Sequence, residues 1–360
     1  MYLEKLYLAN FKNHEDLTFN FSSQVNCIVG ENGSGKTNLL DAIYFISLTK
    51  SAFSNHDALS INRQADFLML DGIYKDDKKR FAITCSVKRG SKKVVLHDKK
   101  PYERLSDHIG RFPLVLIAPD DTDLIREGSE ERRRFFDGVL AQMDTEYLSD
   151  YQHYNRLLEQ RNSLLKDFAE RHYFDDTLLE LYTEPMLVLA EKLHSQRKIF
   201  SQIFLPMFQK HYANLSESRE EVNLIYESEV ATDDFKGDFK RNQARDLAAQ
   251  RTTMGVHRDD YIFEINDYPV KKFGSQGQQK AFVMALRLAQ YELLERDKAT
   301  KPILLLDDIF DKLDDRRIEK LIEMIDNQTF GQVFLTDARP ERTQKILEKI
   351  KAEVKYFKTK

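Results

Sequence analysis

Four short apolar runs stand in the first and last thirds of the chain: QVNCIV at 24–29, PLVLI at 113–117, PILLL at 302–306 and QVFL at 332–335. They do not alternate, so each predicts a strand buried on both faces, as in a largely parallel sheet covered by helices. Alternation occurs instead in YLEKLYLANF at 2–11 and at Phe81, Ile83, Cys85 and Val87, before a turn at Arg89-Gly90-Ser91. These segments predict half-buried strands. From about 126 to 245 the period becomes helical, and glycine all but disappears between Gly138 and Gly237. Tyr147, Tyr151, Tyr154, Leu158, Leu165 and Phe168 follow 3–4 spacing, interrupted by Arg161. Leu179, Tyr182, Met186, Leu189, Leu193, Phe200, Ile203 and Met207 do the same, interrupted by Gln196. Two helices joined near RHYFDD would form an antiparallel hairpin about 40 Å long. Pro185 predicts a kink or a late start in the second. The expected organisation is an α/β head built from residues 1–125 and 246–360, interrupted by a helical insertion over 126–245.

Composition narrows the function classes. With 360 residues and 41% hydrophobic content, the chain can close a substantial core. Charged residues make up 32%, yet the net charge is -4. That excludes an overall basic footprint, so any surface for nucleic acid has to be local. Cys27 and Cys85 lie in apolar stretches and predict reduced, buried thiols in a reducing compartment. The opening residues do not read as a signal peptide, and no apolar run nears the roughly 18 residues of a membrane span. A soluble cytoplasmic protein is expected.

Gly30-Glu31-Asn32-Gly33-Ser34-Gly35-Lys36-Thr37 reads G-x-x-x-x-G-K-T, follows the strand at 24–29 and opens the helical pattern NLLDAIYFI. In that setting glycines let backbone N–H groups converge on phosphate oxygens, and the helix N-terminus adds partial positive charge. Lys36 would reach the β- and γ-phosphates of ATP, and Thr37 would ligate Mg2+. The metal also needs a carboxylate from a neighbouring strand. ILLLDD supplies Asp307 for it at a strand end, and Asp308 one residue on, where a general base could meet an attacking water. Capping of the helix begun at DDRRIEKLIEMI is the plainer role open to the same pair.

FGSQGQQKA at 273–281 poses a separate problem. Ser275 suits a helix N-cap, but an N-cap needs only Ser275. Gly277, Gln278 and Gln279 are poor helix starters unless a ligand comes close. A second anion site, made of Ser275 and a helix N-terminus, fits the γ-phosphate of an ATP held elsewhere. With one P-loop and one such signature per chain, two chains are expected head to tail across two ATPs, each signature completing the other chain's site.

LANFKNHEDLTFNF, EGSEERRRFFD, GVHRDD, FGSQGQQKA and LLLDDIFDKLDDRR follow one another along the whole chain. This series resembles the RecF family of DNA replication and repair proteins, ABC-type ATPases similar to the heads of SMC proteins. The resemblance implies an ATP-dependent, sequence-independent DNA-binding protein of recombinational repair. Such a protein forms an ATP-induced dimer, recognises gaps and single-strand/duplex junctions, works with RecR and RecO to load RecA, and hydrolyses ATP slowly. Lys36, Thr37, Asp307, Asp308, Ser275 and Asp314 map onto the family's functional positions, Asp314 on its D-loop. Gly277 and Gln278, and Lys12 and Asn13 from the opening motif, join the implied ATP-contacting set. The chain departs from the family pattern at Val256, where proline is usual. Asp311-Lys312-Leu313-Asp314 keeps only the terminal Leu-Asp, Thr336-Asp337 offers no switch histidine, and no glutamine follows LVLIAPDD. An ATPase subunit of a transporter-like or other ABC-type complex would carry the same three motifs with a shorter helical insertion. A P-loop kinase would leave the Ser275 stretch unexplained.

Over residues 75–104 eleven Lys or Arg stand against four Asp or Glu. Lys78, Lys79, Arg80, Lys88, Arg89, Lys92, Lys93, Lys99 and Lys100, at strand ends and turns, are the expected DNA-binding set, because phosphate contacts give affinity without sequence information. A solvated hairpin face is the alternative. Arg132-Arg133-Arg134 would either contact DNA or pair with Glu130 and Glu131.

Overall fold

A computed structural model describes residues 1–76, 79–216, 220–311 and 314–359. The chain forms two compact units, Met1–Thr122 with Lys280–Lys360, and Asp123–Gln279. The first boundary lies close to the expected 125. The second, expected near 245, falls at Gln279. No helix of the described residues is long and apolar enough to cross a membrane.

The first segment carries β1 (Tyr2–Phe11), β2 (His14–Asn20), β3 (Val25–Val29), β4 (Phe67–Lys75), β5 (Arg80–Lys88), β6 (Val94–His97), β7 (Lys100–Pro101) and β8 (Leu114–Ile117). The second unit holds β9 (Val222–Glu227), β10 (Asp260–Ile265) and β11 (Tyr268–Pro269). The chain then returns with β12 (Ile303–Leu306), β13 (Val333–Asp337) and β14 (Val354–Lys358). The apolar runs form a five-stranded sheet, β14-β3-β13-β12-β8, in which every pairing is parallel. The alternating segments form a second, antiparallel sheet, β2-β1-β4-β5-β6-β7. In β1 the alternation carries one fault. Its register with β4 shifts between Leu3 and Lys5, and the extra residue of that bulge lets Leu3, Leu6 and Leu8 all lie fully buried.

The helix Lys36–Leu48 packs against β1, β4 and β5 of one sheet and β8 and β13 of the other. A helix covered on opposite sides must be apolar nearly all round. Leu39, Leu40, Ile43, Phe45 and Ile46 are accordingly sealed from solvent. Cys27 and Cys85 are free and buried, and burial pushes both thiols up to about 12. The α/β class expected for the head is the one observed.

The second unit corrects the expectation of a purely helical insertion. Beside the helices Ser129–Met143, Thr145–Arg171 and Asp176–Ser216 it contains the antiparallel sheet β11-β10-β9. Tyr261, Phe263 and Ile265 alternate along β10 with their side chains buried, a period of two that belongs to a strand and not to a helix. The helical hairpin is unequal. Its arms have 27 and 41 residues, or about 40 Å and 60 Å at 1.5 Å per residue. The longer arm outruns its partner because it also packs on β9. Pro185 neither starts nor ends that arm, which begins at Asp176 and contains both Pro185 and Pro206. Ile203, placed on the apolar stripe, is 48% exposed, and Phe204 occupies the buried face instead.

Two arginines in this hairpin are fully buried. Arg161 pairs with Asp246 at 2.8 Å and donates to Thr183 and Thr252. Arg197 pairs with Asp137 at 2.9 Å and Asp259 at 2.6 Å, and donates to the Val256 carbonyl at 2.7 Å. Asp246, Thr252, Val256 and Asp259 all lie beyond residue 245. Buried charges demand such partners, and these partners, together with the β9–β10 pairing, hold the chain in the second unit past the expected boundary.

Candidate nucleotide site and basic surface

The loop after β3 has the geometry its glycines predict. Gly33 and Gly35 adopt left-handed φ values of 84° and 94°. A Cβ at Gly35 would lie 2.6 Å from Asn13 Nδ2 and from His14 Cε1, so the opening motif closes over the loop and requires glycine there. His14 also meets the Gly35 carbonyl at 3.1 Å. Lys36 is buried, and its ammonium donates to the carbonyls of Gly30 and Glu31, both at 3.0 Å. Thr37 Oγ1 donates to Asp307, 3.0–3.1 Å from its two oxygens. Thr37 lies in the first turn of the helix and Asp307 directly follows β12, so the fold brings together two groups that lie 270 residues apart in sequence.

Thr336 on β13 donates to Asp307 Oδ1 at 2.7 Å and accepts from the Asp308 N–H at 2.9 Å. Thr336 and Asp337 stand where the motif series lacked a switch histidine. Thr336 orients both carboxylate positions, and Asp337 instead binds Thr343 and the Arg339 N–H. Burial pushes the Asp307 carboxyl above its usual range, opposed by the hydroxyls of Thr336 and Thr37. Asp308 sits at φ 44°. A hydroxyl and a carboxylate are hard oxygen ligands and suit Mg2+ shared with phosphates. No cluster of three or more His, Cys, Asp or Glu among the described residues offers an all-protein metal cage.

The other candidates have partners of their own within the chain. Lys12, with φ 51°, directs its ammonium to the buried Asp41 at 2.6 Å, on the P-loop helix and not on the loop itself. Asn13 accepts from Asn38, just after Thr37, at 2.7 Å. Asp314 caps the helix Asp315–Asp326 through the Arg317 N–H; Lys312 and Leu313 lie outside the described residues. Asp121, at the end of LVLIAPDD, is held by Arg287 at 3.0 Å.

The Ser275 stretch has a local explanation that the sequence pattern did not reveal. Ser275 Oγ accepts from the Gln278 N–H at 3.2 Å, and Gln278 Oε1 accepts from the Ser275 N–H at 2.6 Å. This is a reciprocal capping box, S-x-x-Q. Gln278 Nε2 also donates to Glu220 at 2.6 Å, and Gln279 donates to the Gly274 carbonyl at 3.2 Å. The two glutamines therefore do serve the helix start. The hydroxyl-bearing Ser275 is exposed, and so are the neighbouring Phe273 (65%) and Tyr268 (59%).

GVHRDD proves to be a clamp within the second unit. His257 Nδ1 meets Tyr154 Oη at 2.8 Å, and Asp259 holds Arg197. Val256 uses only its carbonyl on Arg197, a group the usual proline also has, so the departure leaves that bond intact.

The basic cluster divides in two. β5 runs from Arg80 to Lys88, and nine residues of strand span about 30 Å. Lys79, Arg80, Lys99 and Lys100 gather at one end, where β6 and β7 turn. Lys88, Arg89 and Lys92 gather at the other. The β1–β4–β5 register places this second group at the same end as Phe11 and the opening motif. Lys93 leaves the set: only 15% of its side chain is exposed, and it pairs with Asp57 at 2.7 Å and with the Thr49 carbonyl at the end of the P-loop helix. Arg80 pairs with Glu4 at 2.8 Å, and Lys78 lies outside the described residues. Of the arginine triplet, Arg132 holds Asp260 at 2.7 Å and Arg133 the Asp259 carbonyl at 2.6 Å. Only Arg134 pairs with Glu130 and Glu131.

Comparison with known proteins agrees with this geometry. The family described as RecF/RecN/SMC N terminal domain matches residues 2–358. The DNA replication and repair protein RecF of Flavobacterium johnsoniae is 44% identical over 357 residues, covering 99% of each chain. That of Cytophaga hutchinsonii is 47% identical over 343 residues, 95% of this chain and 91% of the relative. A solved structure of the recombination mediator protein RecF with ATPrS, in the RecFOR pathway, superposes with a TM-score of 0.89 at 27% identity, covering 99% of this chain and 95% of that one. An SMC head bound to the C-winged helix domain of ScpA shares the fold, with a TM-score of 0.54 at 17% identity over 96% of this chain and 91% of that one. Loop, carboxylate strand end and full-length likeness agree: the chain belongs to the RecF family of DNA replication and repair proteins.

Proposed function

We propose that this protein is a cytoplasmic ATP-dependent DNA-binding protein of recombinational repair and replication-fork maintenance. The observation that carries the reading is the Thr37–Asp307 contact beside the glycine loop. It joins a phosphate cradle to a carboxylate strand end in the arrangement a nucleotide and its metal require. Gly30 to Thr37 hold the phosphates, with Lys36 as their fixed positive charge, and Thr37 and Asp307 hold Mg2+. When bound, Mg2+ neutralises phosphate charge. Asp308 acts as the general base of a slow hydrolysis that resets the protein.

ATP binding pairs two copies head to tail, with Ser275 of each serving the partner's nucleotide. An exposed serine flanked by exposed Phe273 and Tyr268 supports this reading, because apolar surface beside a polar signature suits contact with another molecule. The dimer recognises gaps and single-strand/duplex junctions without reading sequence, and works with RecR and RecO to load RecA. The structural relative described in the RecFOR pathway supports that assignment.

Sedimentation with and without ATP, run beside equilibrium ATP titrations, tests the arrangement. Ser275→Arg should remain monomeric with ATP while binding ATP nearly as well as the parent chain. Ser275→Ala, which loses the cap at a cost of about 1 kcal/mol, controls for the helix start. If Ser275→Arg dimerises with the parent's ATP dependence, the head-to-tail assignment is wrong.

A further inference from the structure

We infer that Thr359 is a positioning residue for the nucleotide, and that the end of β14 clamps the P-loop from the far end of the sequence. The inference rests on the nucleotide reading above. β14 pairs in parallel with β3, and the register sets Lys358 beside Val29. Thr359 therefore falls beside Gly30, the first residue of the loop. Its N–H donates to the Val29 carbonyl at 3.0 Å, and its hydroxyl lies 2.6 Å from Ser34 Oγ. It is 9% exposed. The approach is so close that a Cβ on Gly30 would stand 2.3 Å from Thr359 Oγ1 and 2.9 Å from the Thr359 carbonyl oxygen. The first glycine of the loop is thus required as much by the strand beside it as by phosphate.

Ser34 sits between Gly33 and Gly35, both at left-handed φ. Two adjoining glycines leave the peptide planes around Ser34 free to rotate in the absence of an anchor. Those planes carry N–H groups that must converge on phosphate oxygens. The Ser34 N–H on the Glu31 carbonyl at 3.2 Å and His14 on the Gly35 carbonyl at 3.1 Å hold part of these planes. The Ser34–Thr359 hydroxyl pair adds a side-chain anchor from β14, so part of the ordering that binding requires is already done. A neutral hydrogen bond of this kind is worth a few-fold to about tenfold in affinity.

The test is an equilibrium titration of the full chain with ATP and Mg2+, comparing the parent with Thr359→Val, Thr359→Ser, Ser34→Ala, the Ser34→Ala/Thr359→Val double variant and Lys36→Ala. Valine keeps the branched shape and removes only the hydroxyl. Thr359→Val should bind ATP about three- to tenfold more weakly, serine should restore binding, and the double variant should lose no more than Ser34→Ala alone. Thermal midpoints without nucleotide should stay within about 2 °C. Parental affinity in Thr359→Val overturns the inference, and so does a loss that serine does not rescue or that adds in full to Ser34→Ala. If the parent chain does not bind ATP, or Lys36→Ala binds it equally well, the nucleotide reading itself falls.

Discussion

Asp308 occupies a left-handed backbone position, φ 44°, which asparagine tolerates and most residues do not. Asp308→Asn is therefore a clean removal of basicity, whereas alanine would add strain. Loss of a general base costs about 10²- to 10⁴-fold. Single-turnover hydrolysis should fall by that order, with ATP-Mg2+ binding kept and the ATP-bound dimer lingering on DNA. Asp307→Asn should instead weaken Mg2+-dependent binding. A parental hydrolysis rate in Asp308→Asn would move Asp308 to a capping or supporting role. Two buried histidines contribute a pH dependence whose sign follows from their burial. Burial pushes His108 and His257 down to about 4, against an ordinary value of 6.5. Between those values the unfolded chain holds protons that the native chain refuses. Their contribution is therefore present above pH 6.5 and lost as pH falls toward 4, by up to about 3 kcal/mol each. Urea midpoints at pH 7.5, 6 and 5 should decline in that order, and His108→Gln or His257→Gln should flatten the decline. A parental slope in both variants would remove the histidines as its source.

At the scale of elements, apolar spacing located both arms of the helical hairpin, but the charges inside it decide how it is held. Arg197 satisfies Asp137 and Asp259 together. Arg197→Ala leaves two carboxylates buried without their partner and should cost about 3–5 kcal/mol in unfolding free energy. The exposed neighbour changed as Lys198→Ala should stay within about 0.5 kcal/mol. Denaturant unfolding of both variants checks this, and equal stability would mean that water or rearrangement compensates the carboxylates. The capping box at Ser275 teaches a related lesson. Gln278 was legible as odd in a helix start, yet its oddity is answered first by its bond to the Ser275 N–H. A signature can serve its own helix and another molecule at once.

For the whole molecule, the sheet splits what looked like one basic patch into two ends. The group Lys88, Arg89 and Lys92 shares an end of the sheet with Phe11 and the opening motif, whose Asn13 closes on Gly35 of the P-loop. Its reversal to glutamate should weaken DNA binding and lower the salt slope by about 0.9 for each phosphate that is no longer neutralised. Reversal of Lys79, Lys99 and Lys100 at the far end should leave the slope nearly unchanged. DNA titrations across salt concentrations decide between them, and the opposite ranking would place the DNA at the far end.

The sequence alone determined the phosphate loop, the buried parallel strands and the candidate carboxylates. Each is a local property: a glycine-rich turn before a helix, or a run too apolar to face water. The tertiary structure decided the partners. Thr336 reaches Asp307 across 29 residues and Thr359 reaches Ser34 across 325. Lys12 and Lys93, legible only as positive charges, are committed to Asp41 and Asp57. Arg161 and Arg197 lie sealed inside a hairpin whose stripe shows the first as a fault and omits the second. Periodicity records how deeply a position is buried and which way it faces. It carries nothing about which distant donor or acceptor meets a polar group there, because that depends on strand order and register, and these arise only when the sheets assemble.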